Sequence, residues 1–271
     1  MTLVERHDLG DVSGVRWVPE RGTGVGALVI AGSSGRVDSG RAELLAHHGA
    51  LAESIQWFGG PGQHDGPWEI PIELFLGRVE DLAKLCDRIV VLGTSFGSEA
   101  ALLTGAHGAQ VSAVVAFAPS DVVWTGATSD GRATSHWTLH GEPLPYVPFV
   151  DDWEPAGDPP AFVDFYRECR ERFPEQVEEA TIPVERIPEV VVIAGGDDQV
   201  WPAVTHAEKI ASRRRQHGLA TTVVTDPEAG HRTTLPGEPA ATGGTRMLRG
   251  GTEAADRHLG LLAWPHIAAL L

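Results

Sequence analysis

Three observations predict an α/β fold with a mostly parallel central sheet and helices on both faces. Strand-like and helix-like segments alternate along most of the chain. The strand-like ones are short, continuous apolar runs, the pattern of strands buried on both faces. One long irregular insertion breaks the rhythm, which then resumes.

Residues 3–18 alternate weakly and predict a hairpin at a sheet edge. Val25-Gly-Ala-Leu-Val-Ile-Ala31 predicts a buried strand, ended by Gly32-Ser-Ser-Gly35. A helix is expected over 41–48 and a second strand over 52–58. Residues 59–71 are rich in Gly and Pro and read as irregular. Leu74, Leu76, Val79, Leu82 and Leu85 recur at helical spacing and predict a helix over 74–86. Strand 88–94, helix 96–106 and strand 111–119 follow, an alternation that implies parallel pairing through right-handed crossovers. Between 120 and 188 the rhythm breaks into Pro, Gly, Asp and Trp, with one helix-like piece over 160–173. It returns as strand 189–194, helix 202–217, strand 221–225 and a final helix over 254–271. The chain reads as one domain, 1–271, with an insertion over about 121–188. That is too long for an ordinary connection and predicts a lid over a pocket, with a surface elaboration as the alternative.

Hydrophobic residues make up 42% and charged residues 21%, a balance that supports a packed core. The net charge of −16 argues against nucleic acid, which needs clustered Lys and Arg, and against an anionic membrane surface. Cys86 and Cys169, the only cysteines, form neither a disulfide framework nor a zinc spacing, as expected in a reducing compartment. The first ten residues lack the basic start and apolar run of a signal peptide, and no stretch is long enough to span a membrane. A cytoplasmic protein is expected, with no nucleic-acid or membrane partner and no metal or organic cofactor. Assembly into a homo-oligomer is left open.

The chemistry concentrates in Gly93-Thr-Ser95-Phe-Gly97, with an apolar strand before it and a helix after it. In G-x-S-x-G the serine sits on a tight strand-to-helix turn that pushes its Oγ out of the sheet. A serine needs an imidazole to take its proton. Of twelve histidines, His231 follows the last predicted strand by a short loop, which puts it at the same sheet edge as Ser95. His47, His48, His206 and His217 fall on helices or their ends, while His136 and His140 fall in the insertion. The base needs a carboxylate partner. Asp198, at the end of the strand 189–194, is the candidate, with Asp197 as a structural neighbour and Asp121 as a substitute. The order Ser95, Asp198, His231 is the Ser…Asp…His order of the α/β-hydrolase fold. Two backbone donors would stabilise the oxyanion, namely Phe96 N–H and the N–H of Ser33 or, failing that, Ser34.

Ile30-Ala-Gly-Ser-Ser-Gly35, Leu92-Gly-Thr-Ser-Phe-Gly97, Pro119-Ser-Asp-Val-Val-Trp124, Gly195-Gly-Asp-Asp-Gln-Val-Trp-Pro202 and Ala229-Gly-His231 together resemble a known family. It is the catalytic domain shared by acyl-CoA thioesterases and bile acid-CoA:amino acid N-acyltransferase, in particular its short bacterial members. The resemblance runs from about residue 24 to the C-terminus. It implies a triad of Ser95, Asp198 and His231, and an acyl-enzyme mechanism on a small-molecule acyl substrate. The transferase branch uses a cysteine nucleophile, so Ser95 implies water as the acceptor.

Trp124, Trp137, Tyr146 and Trp201 are candidate substrate contacts. The aromatics of the insertion, Trp124, Trp137, Tyr146, Phe149, Trp153, Phe162, Phe165 and Tyr166, either line an acyl pocket or form a small core of their own. Arg213-Arg-Arg215 is a candidate basic patch for coenzyme A, or else a solvated helix end. Three functions follow: a thioesterase on acyl-CoA or a carrier-bound acyl group, a carboxylesterase or lactone hydrolase on a small neutral ester, and a catalytically idle fold that binds a ligand.

Overall fold

A computed structural model describes residues 2–239 and 244–271. Strands β1 (Val4–Asp8) and β2 (Gly14–Pro19) form the expected hairpin at one edge of an eight-stranded sheet. The others are β3 (Val25–Ile30), β4 (Leu51–Ile55), β5 (Arg88–Thr94), β6 (Val111–Phe117), β7 (Glu189–Gly195) and β8 (Thr222–Asp226), in the order β1-β2-β4-β3-β5-β6-β7-β8. From β4 through β8 all neighbours pair in parallel, and β2 alone runs against both of its partners. This is the α/β-hydrolase fold that the sequence predicts.

All six residues of β3 are buried, which explains its unbroken apolar run. Successive residues still point to opposite faces. Leu28, Ile30, Val91, Val114 and Val192 face a core closed by α2 (Glu73–Ala83), α3 (Phe96–His107) and α6 (Ala203–Gln216). Ala27, Val29, Leu92, Val115 and Ile193 face the other core, closed by α1 (Ser39–His47) and a helix at Glu253–Ala268, α7 in chain order.

The predicted strand over 52–58 stops at Ile55 because the chain turns over the loop after β3. There the Trp57 backbone N–H donates to Gly35 O at 2.8 Å and its Nε1–H to Ala31 O at 3.0 Å. The insertion holds more structure than its single helix-like piece suggests. Thr125–Ala127 pairs with Ala133–Ser135, and Trp137–Leu139 sits between Glu142–Pro143 and Ile70–Pro71. Helices α4 (Val163–Arg172) and α5 (Pro174–Glu179) follow. Strands of two or three residues leave no readable period, which is why the sequence hides them. Among the described residues, no helix is long and apolar enough to cross a membrane.

Candidate active site

The turn at Ser95 comes first. Its amide is held by Phe117 O at 3.0 Å, and its backbone sits at φ 57°, ψ −126°, a region that side chains avoid. The flanking glycines are steric necessities. A β-carbon at Gly93 would stand 2.0 Å from Gly97 O, and one at Gly97 would stand 2.3 Å from Ala31 O. The close crossing of β5, α3 and the end of β3 leaves no room for a side chain. It also brings the next loop to the serine, since a β-carbon at Gly32 would lie 3.2 Å from Ser95 Cβ. Ser33 and Ser34 follow on that loop, both exposed. Phe96 opens α3, where a helix leaves its first N–H groups without intrahelical acceptors.

Asp198 lies just beyond β7 and is buried. Its Oδ1 accepts the N–H of Val200 at 2.8 Å and of Trp201 at 3.2 Å, while Oδ2 lies 2.7 Å from His231 Nδ1. A carboxylate so placed holds the Nδ1–H tautomer and leaves Nε2 with its lone pair. His231 follows β8, and its backbone N–H donates to Arg249 O at 2.9 Å. The loop before it is tied by Gly230 N–H to Asp256 Oδ1 at 2.7 Å. Burial pushes the Asp256 carboxyl above its ordinary range. Because β3, β5, β7 and β8 are parallel, Gly32–Ser33, Ser95, Asp198 and His231 all follow strand C-termini at one edge of the sheet.

The two other acids have different work. Asp197 accepts Gly251 N–H at 2.7 Å and Gln199 Nε2–H at 2.7 Å, which makes it an anchor for the loop at 249–251. Asp121 pairs with His206 and, through both oxygens at 2.8 and 3.2 Å, with Arg170, away from His231.

Trp124, Trp137 and Trp201 have no exposed surface, while Tyr146 is half-buried. Their indole N–H groups bond inward, to Ser120 Oγ at 3.0 Å, Glu99 Oε2 at 2.9 Å and Ala118 O at 3.2 Å. Trp201 backs the site with its ring centroid 5.8 Å from that of His231 and 5.6 Å from that of Phe96. The insertion's aromatics pack into the core on the α2, α3 and α6 side.

Two charged residues here escape a reading of motifs. Glu99, one turn along α3, is fully buried; its Oε2 accepts the Trp124 backbone N–H at 3.2 Å as well as the Trp137 indole N–H. It thereby pins the insertion to the helix that follows Ser95. Arg41, on α1, is buried against Thr94 and Phe117. The signal for Glu99 is a lone charge inside an apolar helical run, while Arg41 has Glu43 beside it in a mixed one; sequence alone separates neither from a solvated face.

The basic run over 213–215 is largely committed to structure. Arg213 forms a two-contact pair with Glu185, whose carboxyl it pulls down to about 2. Arg214 is buried and caps the carbonyls of Val184, Ile187, Pro188 and Ala220. A cavity of about 510 Å³ lies elsewhere, lined by Asp11, Arg16, Arg78 and Asp81. Arg16 and Arg78 there both bind buried Glu53, at 2.7 and 3.0 Å, so this groove is an ion-paired seam remote from Ser95.

Sheet order, the turn at Ser95 and the Asp198–His231 pair define a hydrolase of the α/β-hydrolase class. The chain belongs to the BAAT / acyl-CoA thioester hydrolase C-terminal family, whose model matches residues 75–257. No curated protein matches the chain. Solved structures share the fold. One is a candidate dienelactone hydrolase from Klebsiella pneumoniae subsp. pneumoniae MGH 78578, at TM-score 0.55 and 15% identity, with 100% of this chain and 98% of that one covered. Another is a hormone-sensitive lipase from a metagenome library, at TM-score 0.53 and 15% identity, with coverage of 99% and 86%.

Proposed function

We propose that this protein is a serine hydrolase that cleaves an acyl thioester, of coenzyme A or of a carrier, through an acyl-enzyme. The observation that supports it most is the 2.7 Å contact between His231 Nδ1 and Asp198 Oδ2, at the edge of the sheet where the strained turn presents Ser95. In this reading His231 Nε2 takes the proton as Ser95 Oγ bonds to the acyl carbon. The tetrahedral oxyanion rests on the N–H groups of Phe96 and Ser33, each such donor contributing about 3 kcal/mol to the transition state. As the intermediate collapses, the carbon–sulfur bond breaks and the imidazolium protonates the departing thiolate. Water then attacks the acyl-Ser95 ester with His231 again as base, and the carboxylic acid leaves.

A second reading, a carboxylesterase or lactone hydrolase on a small neutral ester, is favoured by one observation. Arg213 and Arg214, expected to meet coenzyme A, are bound to Glu185 and to backbone carbonyls. Hydrolysis of p-nitrophenyl esters, together with a fluorophosphonate adduct on Ser95, tests the shared mechanism. Both should vanish in Ser95→Ala, and turnover that survives this substitution would overturn the mechanism. Faster hydrolysis of the oxygen ester than of the matched acyl-CoA would replace the first reading with the second.

A further inference from the structure

We infer that Arg41 is a positioning residue that holds the Ser95 turn and the loop of His231 in one frame; this rests on the hydrolase reading above. Arg41 lies in the first turn of α1, and its own N–H is capped by Asp38 Oδ1 at 3.3 Å. Its guanidinium reaches three ways. Nη1–H donates to Thr94 Oγ1, the residue before the nucleophile, at 3.0 Å. Its carbon stands 4.3 Å above the centre of the Phe117 ring, and the carbonyl of that same residue accepts the Ser95 amide. Nη2–H donates to Thr233 O, two residues beyond His231, at 3.1 Å.

Glu238 completes the clamp. It takes Nε–H at 2.7 Å and Nη2–H at 2.9 Å, and its Oε2 also accepts Leu235 N–H at 2.8 Å. Burial disfavours the charged guanidinium, and Glu238 more than offsets it, so the cation persists inside the protein. A planar fork with fixed donor directions suits this task better than a flexible ammonium. A purely structural ion pair would need neither Thr94 nor Thr233. Arg41 instead touches residues on both sides of the proposed proton transfer, where about 1 Å of misplacement costs on the order of 100-fold in rate.

The test uses the double variant Arg41→Met/Glu238→Met, which replaces the pair by apolar groups of similar length, an exchange that buried ion pairs often tolerate. Expected are unchanged cooperative unfolding, an unchanged KM and a kcat lower by about 100-fold. Thr94→Val, which removes only one acceptor, should lower kcat less, also at constant KM; it serves as the test on its own if the double variant does not fold. A folded variant with the wild-type kcat overturns the inference. Amide exchange at Ser95 and His231, whose acceptors the variants leave in place, is read in parallel and needs no turnover. Faster exchange in the variants is expected, and unchanged exchange overturns the inference even in a protein that hydrolyses nothing. Absence of Ser95-dependent turnover in the wild type, by contrast, counts against the hydrolase reading alone.

Discussion

Ser95 occupies a backbone conformation that a serine leaves unless its surroundings hold it there. With φ at 57° it carries strain on the order of 1–3 kcal/mol, resisted by the Phe117 carbonyl and by the packing of Gly93 against Gly97. Glycine accepts such a φ without penalty, although it loses more freedom on folding. Ser95→Gly should therefore unfold at higher denaturant than Ser95→Ala, by about 1 kcal/mol, with both variants inactive on p-nitrophenyl esters. Equal stability of the two, measured by urea unfolding, would mean that the turn is relaxed. At this scale the candidate triad is legible because motif and strand position coincide. Arg41 and Glu99 are not, since a charged side chain in a helix looks the same in sequence whether solvent or protein surrounds it.

At the scale of elements, the long strands were readable because burial on both faces forces unbroken apolar runs such as Val90-Val-Leu92. The insertion was not, because pieces as short as Glu142–Pro143 depend on partners distant in sequence. What fastens it is equally non-local: Arg170 of α4 and His206 of α6 converge on Asp121 after β6. Burial alone would raise the Asp121 carboxyl, but His206 and Arg170 outweigh it and hold the group below its ordinary range. A carboxylate with a depressed folded value contributes stability that is present above the unfolded value, about 3.9, and is lost as pH falls through the folded one. Stability should thus decline below about pH 4, and in Asp121→Asn this acid-dependent share should disappear. Thermal unfolding between about pH 2 and pH 6 measures it; an identical slope in the variant would assign the acid sensitivity to other carboxylates.

The charge of the whole molecule bears on the substrate. At −16 the protein repels coenzyme A, itself polyanionic, over distances that salt controls. The screening length is about 30 Å at 0.01 M and about 10 Å at 0.1 M. Of the basic run over 213–215, Arg213 and Arg214 are paired or capped, and only Arg215 is exposed. At long range the field met by an approaching thioester is set by the surplus of carboxylates, whereas beside His231 three arginines, Arg36, Arg232 and Arg249, lie close enough to act on one another. Raising salt across that range should increase kcat/KM for an acyl-CoA and leave kcat/KM for a neutral p-nitrophenyl ester unchanged. The sign is diagnostic, because a local cluster of arginines near Ser95 would dominate at short range and reverse it. A kcat/KM for acyl-CoA that falls with salt would therefore overturn the repulsive picture and point to a basic recognition surface for the nucleotide. A rise confined to the thioester would mean that catalysis works against the protein's own field, and that a less charged acyl donor is the better substrate.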